Sequence, residues 1–190
     1  MRPTLNRREF AFSAALIAVG VSASDAGAAT EEELAWLRLG ASAELIAAAF
    51  CSRAARSRAL DRAERRRFAE ARLADRRHYE RLAVAIGPDV PVETDFSIGF
   101  PTGTFASRPR IVEVGLRVKH AIVGLNLGAA AGISEGRLRA LAARIAAAEM
   151  THVAHLTSLA GRSALREALP RALEQEQATD RLTPFWDAGA

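Results

Sequence analysis

The sequence predicts an all-α fold: an antiparallel four-helix bundle with one long crossover between its second and third helices. Three observations predict it. Apolar residues make up 49% of the 190-residue chain and aromatics only 6%, with alanine abundant, a composition that favours helices. Four long segments carry apolar seams whose steps alternate three and four residues. The first and last connections between these segments are short, which forces antiparallel hairpins, and the middle one is long.

Residues 1–28 are read as a leader and not as part of the fold. Asn6-Arg7-Arg8-Glu9-Phe10 precedes a mildly apolar run from Ala11 to Ser24, then Ala26-Gly27-Ala28. This is the pattern of a twin-arginine signal peptide with cleavage after Ala28. The run is too short and too weakly apolar for a membrane span, so no transmembrane segment is expected in the mature chain. The expected location is periplasmic or otherwise extracytoplasmic. Residues 30–161 are read as the bundle, and 162–190 as a C-terminal helix and tail packing on it.

Losing the leader removes three arginines and two acids from totals of 26 and 22, which leaves a net charge of +3. Arginines crowd residues 62–81, but acids interrupt them, and a solvated helix face is the expected reading. Neither this balance nor export suits a nucleic-acid partner. Cys51 is the single cysteine, so no internal disulfide holds the fold.

The first helix starts near Thr30, where Thr30 and Glu33 have capping-box spacing. Its seam reads Leu34, Leu37, Ala41, Glu44, Ala48, Cys51. The second begins at Asp61, again with a box partner at Glu64, and stops at Gly87-Pro88. Its seam is Phe68, Ala71, Asp75, His78, Leu82, Ala85. Residues 88–110 form the long connection, and Phe96, Phe100 and Phe105 should pack it on the bundle. The third helix is expected from about Ile111 to Ala131, with the seam Val112, Leu116, Lys119, Val123, Asn126, Ala130. Gly132 and Ser134 mark a turn. The fourth helix carries Leu138, Ala142, Ile145, Glu149, His152, Leu156, Leu159 and ends at Gly161. A shorter helix is expected over 163–177, interrupted near Pro170, with the tail 182–186 covering one end of the bundle.

Each seam carries a charged residue near mid-helix, and burying an unpaired ion costs several kcal/mol. Asp75-Arg-Arg-His78 and Glu149-Met-Thr-His152 each put a carboxylate and an imidazole three residues apart, on one helix face. Glu44 and Lys119, the chain's only lysine, sit at matching depth on the other two helices. The two halves repeat in layout: Glu44 to Lys119 spans 75 residues, Asp75 to Glu149 and His78 to His152 span 74. One shared polar centre is the expected arrangement, with Lys119 against Glu44 and at least one of Asp75 and Glu149. His120 points about 100° away from Lys119 and reads as a flank residue. His155 reads either as a second layer behind His152 or as seam edge. Cys51 reads as a small buried hydrophobe, and Tyr79 as packing.

At these residues the chain resembles the ferritin-like superfamily, and within it the exported bacterial ferritin-like domain proteins, a group that includes desiccation-related proteins. The crossover segment from Phe100 to Phe105 shares the resemblance, which covers roughly residues 30–186. It implies a di-metal carboxylate site with four acids and two histidines. Glu44, Asp75, His78, Glu149 and His152 occupy five of those six positions, and Lys119 occupies the sixth. Four carboxylates balance two divalent ions; three carboxylates and an ammonium sum to −2, which one divalent ion neutralises. Protonated lysine has no lone pair to give a metal. Three states stay open: a mononuclear site, a metal-free site held by Lys119 salt bridges, and a full dinuclear site. The mixed oxygen–nitrogen donors suit iron, manganese or zinc. Two functions follow: a metal-binding protein of iron or oxidative stress, or a non-catalytic envelope protein whose site has become a salt-bridge network. A homodimer through the alanine-rich faces stays open.

Overall fold

The computed structural model describes residues 29–164 and 169–187. The expected leader therefore lies outside the described residues. The architecture is all-α: four long helices form an antiparallel bundle with one long crossover.

Helix α1 spans Glu31–Ala54. Thr30 caps it through a complete capping box: its hydroxyl accepts from Glu33 N at 3.2 Å, and Glu33 Oε2 accepts from Thr30 N at 2.9 Å. Helix α2 spans Arg62–Ile86, capped the same way by Asp61 and Glu64, and stops at Gly87, whose φ of +84° suits glycine. Helix α3 spans Arg108–Gly132, starting before Ile111 because Pro109 fits the first helical turn. Helix α4 spans Gly136–Leu159, its cap Glu135 accepting from Leu138 N at 2.6 Å.

The core lies between α1 and α3, whose buried faces are the most extensive. Helix α1 is the one described helix long and apolar enough to cross a membrane, and most of its apolar stretch is buried in the bundle. Pairs α1/α2 and α3/α4 pack closely along their length, whereas α2 and α4 touch only sparsely.

The crossover, residues 87–107, lies against the bundle. Phe100 and Phe105 approach Phe50 of α1 with ring centroids 5.5 and 5.6 Å apart. Tyr79 donates its hydroxyl to Pro91 O at 2.9 Å and so pins the connection to α2. Strand β1, Ser97–Ile98, pairs antiparallel with β2, Trp186–Asp187, which ties the crossover to the C-terminal tail.

The helix expected over 163–177 lies partly outside the described residues; the described helix, α5, spans Gln175–Leu182. Residues 169–174 run without helix, and Leu173 N donates to Gly124 O of α3 at 3.0 Å. A Cβ at Gly128 would fall 1.9 Å from Leu173 O, so only glycine admits the strap. Downstream, Phe185 is buried and stacks under Arg117 of α3. The strap 169–174 therefore lies along α3 where Gly124 and Gly128 leave a groove, and the tail beyond α5 packs on Arg117 and the crossover.

Candidate metal centre

Six polar side chains from four helices meet in the middle of the bundle. Glu44 (α1), Asp75 (α2) and Glu149 (α4) are 0% exposed, Lys119 (α3) 1% and His78 (α2) 7%. The seam positions dictate this, since each of these residues replaces an apolar residue on the buried stripe of its helix.

Glu149 organises the centre with its two oxygens. Its Oε2 lies 2.6 Å from Lys119 Nζ and 3.4 Å from His152 Nδ1, and its Oε1 lies 3.2 Å from His78 Nδ1. Two halves result. In one, His78 Nδ1 lies between Glu149 Oε1 and Glu44 Oε2, the latter at 3.5 Å. In the other, Lys119 donates to Asp75 Oδ1 at 2.7 Å, and His152 Nδ1 lies 3.7 Å from the same oxygen. Lys119 thus pairs with Asp75 and Glu149, and no ion pair to Glu44 accompanies them among the described residues. The expectation that it would reach Glu44 is corrected: Glu44 faces His78 instead, because the α2 imidazole stands on its side of Glu149.

The half containing Glu44 is left unsatisfied. Both Glu44 oxygens, Asp75 Oδ2, His78 Nδ1 and Glu149 Oε1 are buried without a hydrogen-bond partner. His78 lies at ion-pair distance from two carboxylates, but its ring N–H is aligned on neither. Buried native polar groups are nearly always satisfied, so such a concentration of orphans marks a place built for another ligand. One ligand atom each from Glu44, Asp75, His78 and Glu149 fall within 4.8 Å of one another, the spacing of donors around a cation. His152 is outside that tight group and 19% exposed at its side chain.

Electrostatics follow the same division. Burial, then the neighbouring Glu149, pushes the Glu44 carboxyl up to about 7. Burial also drives Asp75 up to about 7, although Lys119 pulls the other way. Burial acts to raise Glu149 too, but Lys119, His152 and His78 overcome it and hold the carboxyl well below the usual range. Burial would lower His78, yet Glu149 and Glu44 raise it to about 9. Lys119 is held well above the usual lysine range by Asp75 and Glu149 against the cost of burial. Without a metal, protons on His78, Glu44 and Asp75 supply the balancing charge.

A family profile described as the ferritin-like domain matches residues 32–162. The chain belongs to the ferritin-like domain family. It shows no significant match among curated proteins or among solved structures.

In this ferritin-like protein the remaining candidates take other places. The Asn126 amide donates to Ile122 O of its own helix at 2.9 Å, so it turns away from the centre. Cys51 is 1% exposed, and burial together with Asp75 pushes its thiol well above the usual range, as suits an inert packing residue. His120 is half-buried on the flank of α3. His155 packs edge-on against Phe68, its centroid 6.5 Å away, and lines a cavity of about 250 Å³ between α2 and α4. That cavity reaches Lys119 and His152 past Arg67, Glu70 and Thr151, three residues outside the seams that a search for buried ligands passes over.

Proposed function

We propose that this ferritin-like protein is an exported binder of a single divalent metal ion, with a degenerate di-metal centre in which Lys119 stands where one carboxylate and the second ion would be. The observation that carries the reading is the asymmetry of the centre. Lys119 fills the Asp75/His152 half with two short ion pairs, while the Glu44/His78 half keeps orphaned donor atoms. Glu44, His78 and Glu149 would hold the ion, with the free Asp75 oxygen at its edge. Carboxylate and imidazole donors suit iron, manganese or zinc. Bound there, a redox-active ion would supply one-electron chemistry in the service of iron handling or oxidative stress. The chain's own contribution is to orient donors. Glu149 fixes its two oxygens between Lys119 and His78, and Glu44 and His78 give up their protons when a cation takes their place.

The export reading, to the periplasm or another extracytoplasmic site, rests on the twin-arginine leader pattern in residues 1–28. The test is elemental analysis of protein purified from the envelope and dialysed. The reading expects at most one tightly held divalent ion per chain, lost in Glu44→Gln; two tightly held ions overturn it.

A second reading, a metal-free stress or envelope protein, is favoured by the short Lys119 contacts, which stabilise the centre without any ion. No metal uptake, with thermal stability unchanged by a chelator, selects it.

A further inference from the structure

The chain's formal net charge is +4 at pH 7. Helix α2 alone holds eight arginines and four acids, so the rest of the chain is balanced. One of the four acids, Asp75, is turned into the core against Lys119. The exterior of α2 therefore sets eight arginines against Glu64, Glu70 and Glu80; Glu64 is bound to Arg108, and one of the arginines, Arg76, is paired with Glu93.

The same exterior carries unusual apolar exposure. The large hydrophobics exposed among the described residues are Leu73 at 50%, Val84 at 80%, Val92 at 41% and Leu169 at 65%. Two stand on α2 and Val92 follows it. Leu73 and Val84 are 11 residues apart, which brings them within about 20° of one another on a helix and about 16 Å apart along it. Arg62, Arg66 and Arg77, with the single acid Glu80, lie within about 40° of Leu73. Helix α2 is held by α1 and barely touches α4, so this arc faces outward.

Arginines beside two exposed apolar side chains give this face both attractions that hold a protein on a charged bilayer, electrostatics and a small buried apolar area. We propose that the outer face of α2 docks on an anionic lipid bilayer, its arginines on the headgroups and Leu73 and Val84 dipping into the boundary. A polyanion without lipid would use the arginines but leave both apolar side chains in water. The aromatic rings that single-stranded nucleic acid needs are absent from this arc: Phe68 is buried, and Tyr79 is engaged with Pro91. The proposal does not depend on any metal.

The experiment is vesicle flotation of the full chain with phosphatidylglycerol-containing and pure phosphatidylcholine vesicles. Residues 1–28 are common to every sample, so comparison among variants reads α2 alone. The expected result is partitioning onto the anionic vesicles that falls about 100-fold in R62Q/R66Q/R77Q, each arginine near such a surface being worth about fivefold. The control R137Q/R139Q/R144Q removes equal charge from the exposed face of α4 and is expected to change partitioning several-fold at most. L73S/V84S is expected to weaken what binding survives in high salt. Equal losses in the two triple variants, or equal binding to both vesicle types, overturns the proposal. Full competition by soluble polyphosphate, with L73S/V84S indistinguishable from the parent, makes the partner a polyanion and overturns it as well. Circular dichroism melts confirm that each variant is folded.

Discussion

Replacing Lys119 with methionine strands two buried carboxylates, and the cost should depend on pH. The ammonium lies 2.7 Å from Asp75 Oδ1 and 2.6 Å from Glu149 Oε2, with all three side chains at most 1% exposed. Methionine has nearly the same volume and shape, so packing changes little. Removing one partner of a buried ion pair costs about 3–5 kcal/mol, because the other charge is left uncompensated. Asp75 already sits at about 7, so below that pH it takes a proton and avoids its share of the penalty, while Glu149, held well below the usual range, keeps its charge. Above it, the protein must either keep the buried charge or bind a proton that the unfolded chain does not, at about 1.4 kcal/mol per pH unit. At about 2–4 °C per kcal/mol for a chain of this size, the melting temperature should fall by about 10 °C at pH 8 and by only a few degrees at pH 6. The assay is a thermal melt followed by circular dichroism in excess chelator at the two pH values. A variant as stable as the parent at pH 8, or equally destabilised at both, refutes the idea that Lys119 neutralises this centre.

Lys119→Glu in a folded protein should raise metal capacity above that of the parent, measured by elemental analysis after dialysis. Glu44→Gln removes a buried carboxylate with no hydrogen-bond partner. Its folded value is raised above its unfolded one, so metal-free parent protein loses stability as pH rises from about 4.5 through about 7. The variant should escape that loss and be more stable by about 1–3 kcal/mol at pH 8, in denaturant melts with chelator. For the same reason, together with the proton on His78 that persists to about 9, added metal should raise the melting temperature more at pH 8 than at pH 6. Gly128→Ala places a methyl 1.9 Å from Leu173 O and should cost about 2 kcal/mol or more as the strap is pushed out, read by urea denaturation. Hydrogen bonds from the Ser134 side chain and from the Thr30, Glu135 and Ser134 backbone lower Glu33 to about 2, so its contribution is present above 4.5 and lost as pH falls through 2. Glu33→Gln should accordingly destabilise the protein at neutral pH and converge with the parent in acid melts.

The helices were legible because their signals are local. Capping boxes at Thr30 and Asp61, glycine stops at Gly87 and Gly161, and seams with steps of three and four all act within a few residues. The gathering of Glu44, Asp75, His78, Lys119 and Glu149 was legible for the same reason: a charged residue on an otherwise apolar stripe has to face its neighbours. What stayed hidden depends on distances that no spacing encodes. Lys119 was expected to meet Glu44, but side-chain reach across a bundle is set by how the helices are staggered, and Asp75 and Glu149 were nearer. His152 was expected in the shared centre; its Nδ1 lies 3.4 Å from Glu149 Oε2 and 3.7 Å from Asp75 Oδ1, on the more exposed side of the group. Glu33 read only as a capping partner; its second oxygen also accepts from Ser134 N, Ser134 Oγ and Glu135 N, more than a hundred residues on. The strap was missed because a stripe of small residues such as Gly124 and Gly128 fits any close neighbour and names none.

Glu149 touches both histidines of the centre, and its two oxygens cannot move separately. A rotation about one side-chain torsion that brings Oε2 nearer to Lys119 must swing Oε1 relative to His78. The two histidines are therefore geared together through one rigid group, like the pans of a balance. A contact on the His152 side that turns this carboxylate therefore also alters its distance to His78 Nδ1, with no helix having to shift.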